Sequence, residues 1–275
     1  VPDLAAAQDL LRRHHRRLYV YLRALLPGTD VGGPLADVAT RIVRQAKQAP
    51  ADHLTDWADG ITRQVAAERR KTINPLPFSD DLFRQLADSA GSILDLSEKR
   101  PAALAEVLRQ LPPPERDLLR RKYDLGLNAQ EIAFADGRPV AMVARDLTAL
   151  HETLVSAVRE SLPDAGPEPP GGAADIGRLS DQLIDRTITE DGRLVLETLL
   201  LADAAAQLHY HRHAALAAEL TWTYGRAPAL PEATPEPPTH RLSTRERIVT
   251  AVFVIAILAV IIFVVLELAG HLTRS

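Results

Sequence analysis

The chain has 275 residues, a net charge of -4 and no cysteine. Disulfides, cysteine-based zinc sites and thiol nucleophiles are therefore excluded, and any nucleic-acid contact has to come from a local basic patch rather than from the overall field. Apolar residues at 46% and aromatic residues at 4%, with Ala, Leu, Arg, Asp and Glu dominant, predict small helical cores, almost no strand, and about two folded units for a chain of this length.

Leu4, Leu11, Leu18, Leu22 and Leu25 mark one face of a long first helix closed by Pro27-Gly28, while Arg12, Arg13, Arg16 and Arg17 line its other face. A second helix is predicted over 35–48 with Val38, Ile42 and Val43 inward. A third, over 54–71, carries Leu54, Trp57, Ile61 and Val65 on one side and ends in Glu68-Arg69-Arg70-Lys71. Asn74-Pro75-Leu76-Pro77 breaks it, and Ser79 caps the next helix with Asp80 and Asp81 in its first turn.

Beyond a bend near Gly91, helices are predicted over 101–111, 114–123, 128–134 and 139–160, with Pro101, Pro114 and Pro139 suited to first helical positions. Asn128 caps a short helix, Asp136-Gly137 turns, and Val140, Val143, Leu147, Leu150, Leu154 and Val158 stripe the helix that follows. That punctuation fits a helix-turn-helix and an ordinary helical hairpin equally.

Residues 163–173 (PDAGPEPPGGA) form a Pro- and Gly-rich linker. A third, small unit follows from Asp175, with Ile176, Leu179, Leu183 and Ile184 on one face and with Thr189 and Asp203 as caps. After a second Pro-rich linker, residues 248–268 are apolar apart from Thr250 and Glu267. At a rise of about 1.5 Å per residue such a run spans about 30 Å, so a transmembrane helix is expected, with Arg241, Arg245 and Arg247 placing the N-terminal part in the cytosol of an inner-membrane protein.

The first two units together resemble bacterial sigma factors of the extracytoplasmic-function class, planctomycete-type subgroup. LLRRHHRRLYVYLRALLP looks like the opening helix of the promoter-melting domain, and WADGITRQ (57–64) like the Trp, Ile, Arg block before a basic run. LPFSDDLFRQLADSA is similar to the connecting segment, and LAEVLRQLPPPERDLLRRKYDLGLNAQEIA to the start of the second domain, a helix-turn-helix that binds the upstream promoter element. The third unit, LIDRTITEDGRLVLETLLLADAAAQLHYHRHAAL, resembles the N-terminal domain of FecR-type anti-sigma regulators.

These resemblances imply an all-α plan: 1–78 a sigma-like domain, 79–100 a connecting helix, 101–162 a helix-turn-helix domain, 163–173 a linker, 174–224 an anti-sigma-like segment, 225–247 a linker and 248–268 the span. They imply RNA polymerase core, promoter DNA and the membrane as partners, with a protease or membrane partner releasing the cytosolic part. The implied DNA contacts are Arg63, Gln64, Arg69, Arg70, Lys71, Arg138, Arg145 and Thr148, and the implied polymerase contacts are Asp37, Arg41 and Arg44. Where the family usually places Arg or Lys in the recognition helix, this chain has Ala149, His151 and Glu152, beside Asp146, so phosphate affinity there is expected to be weak. A degenerate scaffold that binds another sigma factor or signalling protein, without DNA, is the rival expectation.

No nucleophile, base and orienting group assemble from the sequence, and no enzyme activity, cofactor or metal is expected. His209 and His213 lie four apart and invite a metal reading, but with no cysteine and no nearby carboxylate in register, His209, His211 and His213 read as a partly exposed polar face. His14-His15 read as part of an Arg-rich surface. Leu179, Leu183, Leu194, Leu199, Leu200 and Leu216 are too many for a segment of about fifty residues to bury alone, which predicts a partner surface for it. Its acidic residues are expected to oppose the basic run at 69–71.

Overall fold

Polar side chains set the helix boundaries much as the sequence predicts. The computed structural model describes residues 4–50, 52–73, 78–94, 99–162, 172–225 and 227–228. Within these, α1 (Leu4–Leu25), α2 (Gly32–Gln45) and α3 (Leu54–Arg70) are followed by α4 (Asp80–Ser89) and the short α5 (Gly91–Leu94). Ser79 Oγ accepts from Leu82 N–H at 3.3 Å and so starts α4. Next come α6 (Arg100–Gln110), α7 (Pro113–Tyr123), α8 (Ala129–Asp136) and α9 (Val140–Glu160). A full capping box opens α8: Glu131 N–H donates to Asn128 Oδ1 at 2.9 Å, and Asn128 N–H donates to Glu131 Oε2 at 2.8 Å. Gly137, at φ +62, then turns the chain toward α9.

The last three described helices are α10 (Ala173–Ile184), α11 (Glu190–Ala202) and α12 (Ala204–Thr223). Thr189 Oγ1 accepts from Gly192 N–H at 3.1 Å and Asp203 Oδ1 accepts from Ala205 N–H at 2.8 Å, so both expected caps are present. No strand occurs among the described residues.

Helix α12 organises the packing of these elements. It contacts α1, α4 and α5 on one side, α9 on another, and α10 and α11 on a third. Over 206–220 only Leu208 escapes full burial, which is the pattern of a helix enclosed all round rather than one with a wet face. One core joins Leu18, Leu22, Leu35, Ile42, Leu82 and Leu86 of α1, α2 and α4 to Ile176, Leu200, Tyr210 and Ala214 of the last three helices. A second joins Leu104, Leu119 and Leu154 of α6, α7 and α9 to Leu216 and Leu220 of α12. A small third core lies between α8 and α9 around Ile132, Val143 and Leu147. Thus the leucines that seemed too many for 174–224 are covered by the rest of the chain, Leu179, Leu183, Leu200 and Leu216 fully and Leu199 in part, while Leu194 remains 49% exposed.

The expected fold class needs one correction. Among the described residues no helix is long and apolar enough to cross a membrane. Residues 248–268, where the spanning helix was predicted, lie outside the described residues, as does nearly all of both linkers. The fold described is all-α without a spanning element.

Candidate functional site

Helices α9, α10 and α12 meet in a buried cluster of imidazoles and carboxylates. From α12 come His209 and His213, one helical turn apart and 1% exposed each. From α9 come His151 and Glu152, and from α10 comes Asp181. Asp181 Oδ1 lies 2.9 Å from His151 Nδ1 and 3.4 Å from His213 Nδ1. On its other nitrogen, His151 Nε2 is 2.9 Å from the Tyr123 hydroxyl of α7. His151 thus bridges the Asp181 carboxylate and the Tyr123 hydroxyl through its two ring nitrogens. Glu152 Oε1 approaches His213 Nε2 at 3.3 Å and His209 Nε2 at 3.6 Å, and the two imidazoles meet edge to face at 4.8 Å. These approaches are close enough for charge attraction but make no hydrogen bond: Glu152 Oε1, His213 Nε2 and both nitrogens of His209 are buried without one.

The electrostatics follow from that arrangement. Burial disfavours the charged form of His213, yet Asp181 and Glu152 outweigh it and raise the imidazole to about 9. Burial likewise pushes Glu152 up, but His209 and His213 pull it down to about 2. Asp181 is held well below the ordinary carboxylate range by His151 and His213, again against desolvation. His211, two residues away and also buried, lacks a carboxylate and is lowered to about 4 by desolvation.

Gly177 of α10 makes the close approach possible. A Cβ there would fall inside the envelope of Glu152 Oε1 and 2.9 Å from His213 Cε1. Gly→Ala inside a helix ordinarily stabilises by about 0.5–1 kcal/mol. At Gly177 we expect the opposite sign, a loss of about 1–3 kcal/mol from overpacking, measured by urea denaturation of Gly177→Ala.

This site departs from the sequence expectation in two ways. The three histidines of α12 are buried rather than partly exposed, and the missing carboxylate is supplied across the helix interface by Glu152 instead of along the same helix. Similarly, His15 is buried against Trp222, ring to ring at 5.0 Å, and is not part of a surface.

The residues implied for DNA binding fall into three groups. Arg69 and Lys71 are exposed at the end of α3, as expected. Arg63 donates to Asp88 at 2.7 Å and to the Ala87 carbonyl at 2.9 Å, and Gln64 to Glu68 at 3.0 Å, so both are engaged within the fold while still reaching its surface. Arg70 is the correction: it is 6% exposed, pairs with Asp80, donates to the Phe78 carbonyl and lies 5.1 Å over the Phe83 ring. Its place four residues beyond Ala66, in the inward stripe Ala58, Thr62, Ala66, is the cause.

On α8 and α9, Arg138 and Arg145 both face Asp146, Thr148 is half-buried beside them, and Phe134 stands 90% exposed. Of the polymerase candidates, Asp37 and Arg44 are exposed on α2, whereas Arg41 is committed to Glu68 of α3. The acidic side chains of the last three helices do not pair with the basic run. Asp185 pairs with Lys122, Glu197 with Arg193 and the Ser79 N–H, and Asp181 with the histidines.

No family model matches the chain, and neither the curated proteins nor the solved structures provide a match.

Proposed function

We propose that the chain is a self-masked transcription regulator, in which residues 4–162 engage RNA polymerase core and promoter DNA and residues 172–223 hold them in a closed form. The two families that the sequence resembles are the starting point. The observation that carries the reading is the enclosure of α12 between α1 and α4 on one side and α9 on the other. Tyr210 donates to the Ala24 carbonyl at 2.7 Å, Gln207 to Gln85 at 2.8 Å, and Glu219 pairs with Arg16, so the same helix is tied to the first unit by polar bonds as well as by its core. Parts that must address separate promoter elements are thereby fastened to one helix. Release would require a protease or a competing partner.

Within the basic run 69–71, Arg69 and Lys71 are the exposed cations. Replacing both with Ala is expected to flatten the log–log salt dependence of promoter binding by about 2, since each lost phosphate contact removes roughly 0.9 from the slope. Masking itself is tested by inserting a protease site between 162 and 172. The cut and separated N-terminal piece should capture core RNA polymerase and the intact chain should not. Equal capture by both, or by neither, would exclude masking.

A second reading is favoured at α8 and α9, where Asp146 pairs with Arg138 and faces Arg145 at 3.6 Å, halving their net charge, and Phe134 is bare. Such a surface suits a protein partner better than phosphate. Binding of that partner with no salt-dependent DNA binding would support it.

A further inference from the structure

We propose that Glu152, His209 and His213 form a zinc site that joins α9 to α12. Glu152, His209 and His213 each offer a ligand atom within 4.8 Å of the others, and Glu152 Oε1 faces the Nε2 atoms of both histidines. The same three atoms are buried without a hydrogen bond, an expensive state for polar groups unless a ligand completes it. Two independent features, convergence and the lack of hydrogen bonds, thus point to one place.

The spacing identifies the kind of ion. Ligands bound tetrahedrally at about 2.0–2.1 Å lie roughly 3.3 Å apart. Glu152 Oε1 is 3.3 Å from His213 Nε2 and 3.6 Å from His209 Nε2. The third edge, between the two imidazoles, lies within 4.8 Å and would shorten as the rings turn in to centre an ion. Two imidazoles and one carboxylate suit zinc, whereas calcium and magnesium need more oxygen ligands than the cluster offers. Three protein ligands leave a fourth position for water.

The surroundings orient the ligands as a metal site requires. His213 Nδ1 faces Asp181 Oδ1 at 3.4 Å, so Nδ1–H donates outward, and Nε2, whose proton a bound ion would displace, faces Glu152 in the cluster. Asp181 is fixed in turn by His151, and His151 by Tyr123, at 2.9 Å each. The chain of support runs through α7, α9, α10 and α12. Gly177, whose missing side chain admits Glu152 and His213 together, removes the steric bar. The site is independent of any role in transcription, because it rests only on these side chains.

The test uses the full chain, stripped with a chelator and titrated with Zn²⁺ against a chromophoric competitor, with Co²⁺ as a spectroscopic stand-in. One ion per chain and an intense tetrahedral cobalt spectrum are expected. Glu152→Gln and His213→Gln should each lower zinc affinity at least about 100-fold, and Asp181→Asn about 10–100-fold, as for an outer-shell partner. His53→Ala, at an exposed imidazole of 72% side-chain accessibility, should leave affinity unchanged. Absence of stoichiometric zinc binding, or unchanged affinity in Glu152→Gln and His213→Gln, would overturn the proposal. Should a variant fail to fold by circular dichroism, the unmutated chain decides: a weak octahedral cobalt spectrum also overturns it.

Discussion

Tyr210→Ala is expected to cost about 3–5 kcal/mol of unfolding free energy, the range for deleting a large buried ring. Tyr210 is fully buried in the middle of α12, meets Phe78 edge to face at 5.5 Å, and donates its hydroxyl to the Ala24 carbonyl at 2.7 Å. The ring therefore touches both the loop before α4 and the end of α1. Tyr210→Phe keeps the ring and removes the hydroxyl, and should cost only about 1 kcal/mol. Denaturant titrations of the two variants separate packing from hydrogen bonding. A loss below about 1 kcal/mol for Tyr210→Ala would mean that α12 is not central to the stability of the fold.

The second large effect is expected at Arg70. Its guanidinium hydrogen-bonds the Phe78 carbonyl, pairs with the exposed Asp80 and covers the Phe83 ring. Removing a charged donor from a buried carbonyl costs about 1.5–3 kcal/mol, and loss of the cation–π contact adds about 0.5–1 kcal/mol. Arg70→Ala should thus lose roughly 2–4 kcal/mol, while Arg69→Ala, one residue earlier and exposed, should stay within about 0.5 kcal/mol of the parent. Thermal or urea unfolding of the two single variants makes the comparison. The contrast has a practical side, since alanine replacement of 69–71 together would confound any measured change in DNA binding with unfolding.

Helix ends were the most legible part of the sequence. Ser79, Asn128, Thr189 and Asp203 each cap the helix that the sequence assigns to them, because a cap is a local bond between residues two or three apart. The helix interiors facing each other were legible as stripes, as in α9, where Val143, Leu147, Leu150, Leu154 and Val158 are buried.

What could not be read was the partnership between distant segments. Helix α12 has no stripe to detect, since apolar and polar residues alike are enclosed, and the burial of His209, His211, His213 and Glu219 depends on helices that precede it by many residues. The same limit hid the candidate metal site: His209 and His213 announce themselves by spacing, but Glu152 and Asp181 arrive from two other helices. Arg70, a DNA contact implied by the resemblance, is buried because it continues the inward stripe Ala58, Thr62, Ala66 at four-residue spacing.

The place of α12 in the chain also sets an order of manufacture. The helix that fills the middle of the fold runs over 204–223, after every other helix described. A ribosome releases the chain from its N-terminus at roughly 5–20 residues per second, so α1 to α9 are all outside the exit tunnel before α12 has been made. During those seconds Leu18, Leu22, Leu25 and Phe78 lack their core partner Tyr210, and Leu154 lacks its core partner Leu220. The half-built cores wait for α12, the last of the described helices to emerge, to close them.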